Sequence, residues 1–295
     1  MLPGFIIIGT MKGGTTSLYK YLGEHREVGI SSEKEINFFR TEKEFQKGQE
    51  WYKKLFENDK KIMIKEYLKY IKNNLYSINL KIIVGEASPD YTKRHLYPGV
   101  SKRIHSLLPN VKLIYILRDP IERIISHYVH NYAQGRESRD LNAILKNPDN
   151  KYTLTSRYFY QIKPYLNYFE PKNILLVESE ELRQNTKKAV EQVLKFITVS
   201  PTIDSNILSK EYHVSSKKGR RTQIEQILVK TFKNRVLRKV LKPLRPYFRK
   251  LFTPENFNRP SINKENKTLL LKQFDSDLKK LKNKFNFIPE NWGVQ

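Results

Sequence analysis

Residues 5–22 read FIIIGTMKGGTTSLYKYL. The apolar run Phe5–Ile8 has the length of a short buried strand. After it come Gly9, Lys12, Gly13, Gly14, Thr15, Thr16 and Ser17, then Leu18, Tyr19 and Leu22 at helical spacing. Strand, glycine-rich turn and helix together aim backbone N–H groups and a helix N-terminus at an anion. The glycines let the backbone come close to a ligand. The hydroxyls of Thr15, Thr16 and Ser17 donate from the first turn, and Lys12 brings a mobile positive charge. An ordinary strand-to-helix turn is the plainer reading of a lone Gly-Gly. Lys-Gly-Gly-Thr-Thr-Ser directly after a strand favours a phosphate site.

Working outward, the 295-residue chain is long enough to bury a sizeable core, and it reads as one domain over 1–295. It has no cysteine, so a disulfide framework is excluded and a reducing compartment is the simpler expectation. No charged-then-apolar leader and no run of 18 apolar residues is present, so a soluble, cytoplasmic chain without signal peptide or transmembrane segment is expected. Lysine and arginine total 55 against 30 acidic residues, a net charge of +25, which calls for anionic partners. No helix-turn-helix, zinc or RNA-recognition signature supports nucleic acid as that partner.

Three further segments stand out. The first is Ser31–Phe39, where Lys34 and Glu35 precede the apolar pair Phe38-Phe39. Pattern alone makes this Glu a solvated side chain beside a core anchor. The second is Gly85-Glu86-Ala87-Ser88-Pro89-Asp90-Tyr91, after the β-branched strand 82–84, with His95 close behind as a surface histidine or an acceptor contact. The third is KLIYILRDPIERIISHYVHNY, residues 112–132. Leu113–Leu117 is a buried strand, and Asp119-Pro120 opens a helix with its cap and its first-turn proline. Arg118 ends the strand and Ser126 lies two turns into the helix. Arg presents a bidentate fork to phosphate and Ser adds a hydroxyl, although an Arg capping a sheet edge has the same position. Residues 41–80 read as helical, with Trp51-Tyr52 in a packing role or, as the alternative, stacking on a sugar. Tyr158, Tyr160, Tyr165 and Tyr168 read as a helical core stripe, followed by a strand at 174–177 and a helix carrying Val190, Val193, Leu194 and Ile197. A short basic loop carries Lys218, Gly219 and Arg220. Residues 209–252 hold 14 Lys or Arg and two Glu, net 14 − 2 = +12, with an apolar face at helical spacing. That stretch suits an anionic membrane surface, an acidic acceptor groove, or a solvated lid. No His or Cys spacing marks a metal site.

The nucleotide loop does not match the triphosphatase pattern G-x-x-x-x-G-K-[ST], because Gly14 stands where its Lys belongs. Taken together the segments resemble sulfotransferases that use 3′-phosphoadenosine 5′-phosphosulfate (PAPS), closest to the heparan sulfate branch and its bacterial relatives. The likeness spans nearly the whole chain and is weakest at 41–80 and 224–258, the latter resembling a basic helical insertion. It implies a three-layer α/β fold with a mainly parallel sheet of the nucleotide-kinase-like type. It implies that Lys12, Gly13, Gly14, Thr15, Thr16 and Ser17 hold the 5′-phosphosulfate, with Lys12 steadying the leaving group. It implies that Arg118 and Ser126 take the 3′-phosphate and that Lys218-Gly219-Arg220 closes over the adenine. Glu35 matches the family's general base. Lys34 either holds Glu35 ionised, touches the sulfuryl group, or is a surface lysine. Phe38, Glu86, Tyr91 and His95 are implied as acceptor-side residues, Glu86 to orient a lysine or a hydrogen-bond acceptor, with Phe38 and Phe39 drying the base. Some relatives carry a catalytic Lys where this chain has Ala87, so no second catalytic lysine is assigned there. The expected partners are PAPS, its product adenosine 3′,5′-bisphosphate, and a carbohydrate acceptor, with anionic and lipid-linked acceptors and peripheral membrane contact through the basic region left open. No metal is expected. A P-loop kinase or triphosphatase, and a polyanion- or membrane-binding module built on 209–252, are the alternatives.

Overall fold

A computed structural model describes residues 1–57, 82–208, 259–290 and 292. The chain enters β1 (Phe5–Gly9) almost at once, with all five residues buried. β2 (Val28–Ile30), β3 (Ile83–Ala87), β4 (Lys112–Leu117) and β5 (Ile174–Glu178) complete the sheet. The order is β2-β3-β1-β4-β5, and every neighbouring pair is parallel. Parallel strands need crossovers, and the crossovers cover both faces.

The alternation along β1 shows the layers. Ile6 and Ile8 face one core with Val84, Leu113, Tyr115, Phe38, Phe39 and Tyr52. Phe5 and Ile7 face the other with Ile114, Ile116, Leu18 and Leu22. On the second face lie helices α1 (Thr15–Gly23) and α4 (Thr186–Phe196), whose Val190, Val193 and Leu194 are buried. The first face is covered by α2 (Val100–Leu107) and by α5 (Lys264–Phe285), whose Leu281 joins that core. Helix α3 (Pro120–Ala133) packs Ile124, Ile125 and Tyr128 against Leu270 and Phe274 of α5. The expected three-layer αβα architecture is the observed one.

Local departures have physical causes. β2 went unread, since three residues with a central glycine give no periodic signal. β3 runs through Glu86 to Ala87, beyond the strand expected at 82–84, because it lies between β2 and β1 and its ladder overrides the poor strand propensity of Gly and Glu. The tyrosine stripe is not one helix. Tyr158–Ile162 is a short α-helix, and the 3₁₀ turn Lys163–Asn167 follows, where Pro164 has no N–H to continue it. Tyr158 and Tyr165 are buried, whereas Tyr168 is exposed. Of the helical character expected over 41–80, the described part contains Glu42–Phe45 and Gln49–Lys54. Among the described residues no helix is long and apolar enough to cross a membrane.

β1 sits at the centre of the sheet, and the chain moves from β3 on one side of it to β4 on the other. That is the topological switch point, and in open α/β sheets the ligand crevice opens there, beyond the carboxyl ends of the strands. The segments after β1, β2, β3 and β4 all emerge on that edge.

Candidate active site

The turn after β1 has the geometry of an anion cradle. Gly14 is the N-cap of α1, at φ 105°, and Lys12 also has a positive φ of 72°. The first is open only to glycine without strain. A Cβ on Gly13 would stand 2.9 Å from the Ile116 carbonyl and 2.9 Å from the Thr10 methyl, so the turn is wedged against β4. Gly13 N–H donates to the Thr10 carbonyl at 3.0 Å and Ser17 N–H to the Gly14 carbonyl at 2.9 Å. Helix geometry leaves the N–H groups of Gly14, Thr15 and Thr16 with no carbonyl one turn back. Within the run 13–17, these three N–H groups are the ones left without a backbone carbonyl acceptor among the described residues.

Arg118 leaves the end of β4 beside this turn. Its guanidinium donates to the Lys12 carbonyl at 3.4 Å and to Glu122 at 3.1 Å, and its side chain is 12% exposed. Tyr158 holds the backbone here, its hydroxyl donating to the Arg118 carbonyl at 2.6 Å. The buried Arg118 Nε has no hydrogen-bond partner among the described residues. Burial, and after it the nearby Arg183 guanidinium, pushes Arg118 below the usual arginine range, while Glu122 and Glu180 oppose this. Asp119 caps α3 as expected, its Oδ1 accepting from the N–H groups of Ile121 and Glu122 at 2.8 and 2.9 Å. Ser126 lies half-buried on that helix. Arg183 was not singled out from sequence. Its signal was positional, since it follows β5, the next strand end along the same edge.

The segment after β2 brings the base candidate. Tyr19 of α1 donates to the Ser31 carbonyl at 3.0 Å, which ties the segment to the helix behind the cradle. Lys34 Nζ donates to Thr16 Oγ1 at 2.6 Å and lies 3.5 Å from Glu35 Oε1. Glu35 and Asn37 both have φ 56°, in the left-handed region unusual for residues other than glycine. The Glu35 side chain is 49% exposed. The expected drying by Phe38 and Phe39 is not observed, because both rings turn into the core. Phe38 stacks on Tyr52 with centroids 4.4 Å apart and rings within 8°.

The residues expected on the acceptor side divide. Glu86, Phe38 and Tyr91 are 0, 1 and 1% exposed and present no surface to an acceptor. This corrects their direct contact role: β3 alternation turns Glu86 to the same face as Val84, into the aromatic core. There its carboxylate accepts from Tyr52 at 2.6 Å, Ser88 at 2.7 Å and Tyr91 at 3.0 Å. His95 is half-buried; Gln161 Nε2 lies 3.1 Å from its Nδ1, and burial, then Lys93 and Arg123, hold its pKa down to about 4. Lys93, also missed, is buried and pairs with Asp90 at 2.6 Å, its Nζ 3.1 Å from Met11 Sδ in the turn after β1. Lys218, Gly219 and Arg220, the whole of the basic stretch 209–252 and the insertion 224–258 lie outside the described residues. Among the described residues no group of three or more His, Asp or Glu is placed to hold a metal.

Comparison with known proteins agrees with this fold. The family model described as sulfotransferase domain matches residues 2–255. A membrane-associated sulfotransferase of Dictyostelium discoideum (kil1) is 39% identical over 127 residues, covering 43% of this chain and 22% of that protein. Heparan sulfate glucosamine 3-O-sulfotransferase 5 of Mus musculus is 28% identical over 214 residues, covering 68% of this chain and 55% of that protein. Bifunctional heparan sulfate N-deacetylase/N-sulfotransferase 4 of Mus musculus is 30% identical, covering 68% of this chain and 23% of that protein. The matches thus span between about a fifth and just over half of these relatives. The crystal structure of a sulfotransferase from Alicyclobacillus acidocaldarius superposes with a TM-score of 0.63 at 20% identity, covering 98% of both chains, and supports the fold. With the family model covering residues 2–255, the chain belongs to the sulfotransferase domain family.

Proposed function

We propose that this chain transfers a sulfuryl group from PAPS to a hydroxyl, with an amine as the second choice, of a carbohydrate acceptor. The observation that carries this reading is Lys34. By touching Thr16 Oγ1 and the Glu35 carboxylate it sets the candidate base against the anion cradle. The residues fit the donor: a cradle of helix N–H groups lies at one point, and beside it lies a guanidinium whose buried Nε has no partner among the described residues. Matched relatives named for O- and for N-sulfation of heparan sulfate support a carbohydrate acceptor.

The donor supplies an activated sulfuryl group on a phosphate leaving group. The chain's residues do the rest. Glu35 takes the acceptor hydroxyl proton, which at neutral pH needs a positioned base. Lys12 steadies negative charge on the leaving phosphate oxygen, and the N–H groups of Gly14, Thr15 and Thr16 orient the phosphate. Lys34 draws charge from the transferred group and stands as the ion-pair partner of the Glu35 carboxylate. Arg118 and Ser126 anchor the 3′-phosphate and set the register of the nucleotide.

The test is turnover and binding in parallel. Glu35→Gln is expected to lose about 10²–10⁴-fold in kcat while calorimetric affinity for adenosine 3′,5′-bisphosphate stays unchanged. Wild-type turnover in Glu35→Gln removes the base. Bisphosphate binding that requires magnesium favours a P-loop kinase instead.

A further inference from the structure

Glu86 is wholly buried, and it accepts from three hydroxyls: Tyr52 and Tyr91 on Oε1, and Ser88 on Oε2. Burial pushes its carboxyl up, and the three donated protons oppose that. Each hydroxyl has a single proton to give. Once that proton is committed to Glu86, the oxygen can only accept from its other side. Ser88 Oγ accepts from the Asn37 N–H at 3.1 Å. Tyr91 Oη accepts from the Phe39 N–H at 3.2 Å. These two N–H groups flank Phe38, whose ring stacks on Tyr52, the third hydroxyl donor.

The backbone so gripped is the one that needs gripping. Glu35 and Asn37 both sit at φ 56°, and such residues persist only where their surroundings dictate the conformation. The Asn37 side chain adds a local brace, donating to the Glu35 carbonyl at 2.8 Å. The half-exposed Glu35 carboxylate has Lys34 as its ion-pair partner in front. The backbone that carries it is held from behind. We propose that Glu86 is a positioning residue for Glu35, acting through two relays, Ser88 to Asn37 and Tyr91 to Phe39, that its carboxylate polarises. The inference rests on the reading of Glu35 as the base.

The experiment combines a readout of the relays with a readout of the base. Glu86→Gln keeps the shape but offers an amide donor where Ser88 or Tyr91 needs an acceptor. Amide hydrogen exchange at Asn37 and Phe39 is expected to speed by about 10-fold as each bond weakens. Turnover is expected to fall about 10–100-fold, with affinity for adenosine 3′,5′-bisphosphate unchanged. In a Glu35→Gln background the Glu86→Gln change is expected to add no further loss of turnover. Should Glu86→Gln fail to fold, Ser88→Ala and Tyr91→Phe cut one relay each, and each is expected to release its own amide alone. Unchanged exchange at both amides overturns the relays. Faster exchange with full turnover, in a protein whose Glu35→Gln variant is inactive, overturns the positioning role. If Glu35→Gln itself stays active, the reading of the base fails instead, and the positioning role falls with it.

Discussion

Arg118→Ala separates the two ends of the nucleotide. In the structure the Arg118 side chain is 12% exposed, its guanidinium engages Lys12 and Glu122, and its Nε has no partner among the described residues. A charge-assisted hydrogen bond to a phosphate contributes about 1.5–3 kcal/mol, and the low exposure puts this one toward the upper end. A loss of about 2–3 kcal/mol weakens binding about 30–150-fold. That loss is expected for adenosine 3′,5′-bisphosphate in calorimetry. Adenosine 5′-phosphate, which lacks the 3′ group, is expected to change by less than about 3-fold. Glu122 keeps Arg259 as a second partner, so the substitution does not strand its carboxylate. Ser126→Ala is the graded companion, with about 1 kcal/mol, or about 5-fold, lost on the bisphosphate alone. Equal losses for the two nucleotides refute the placement of the 3′-phosphate at Arg118.

Lys12→Ala is expected to abolish detectable turnover with PAPS, and a variant turning over at the wild-type rate removes Lys12 from the leaving group. Gly13→Ala forces a Cβ to 2.9 Å from the Ile116 carbonyl, and overpacking of this kind costs about 1–3 kcal/mol; an unchanged urea midpoint contradicts the close approach. Glu137 is held down to about 2, first by hydrogen bonds from Arg139 and then, against burial, by Lys151. Its folded pKa is below its unfolded value of about 4.3, so its stabilisation is complete above that value and is lost as pH falls toward 2. Urea midpoints across that window are expected to drop more in the wild type than in Glu137→Gln; parallel curves contradict the pairing.

The parts of the site that were legible are those whose signals are local in sequence. The turn 9–17 combines strand, glycines and helix within one short run, and Asp119-Pro120 announces its own cap. The α/β alternation of strand and helix was legible as well, while the three-layer, nucleotide-kinase-like form came from the family resemblance. The rest depends on distant partners. β2 is defined by pairing with β3, more than 50 residues further on. The Glu86 cluster joins Tyr52, Ser88 and Tyr91, and nothing near Glu86 in the sequence points to Tyr52. A Glu in a Gly-Glu-x-Ser-Pro segment resembles a ligand-facing residue until the strand alternation turns it inward. Phe38 was misread for the same reason, since an aromatic beside a base looks equally suited to a substrate and to a core.

The most direct measurement is a crystal structure of this chain soaked with adenosine 3′,5′-bisphosphate. The account predicts one phosphate against the N–H groups of Gly14, Thr15 and Thr16 and the other against Arg118 and Ser126, with the Glu35 carboxylate facing the 5′ end. A nucleotide bound elsewhere, or with the 3′-phosphate away from Arg118, contradicts it.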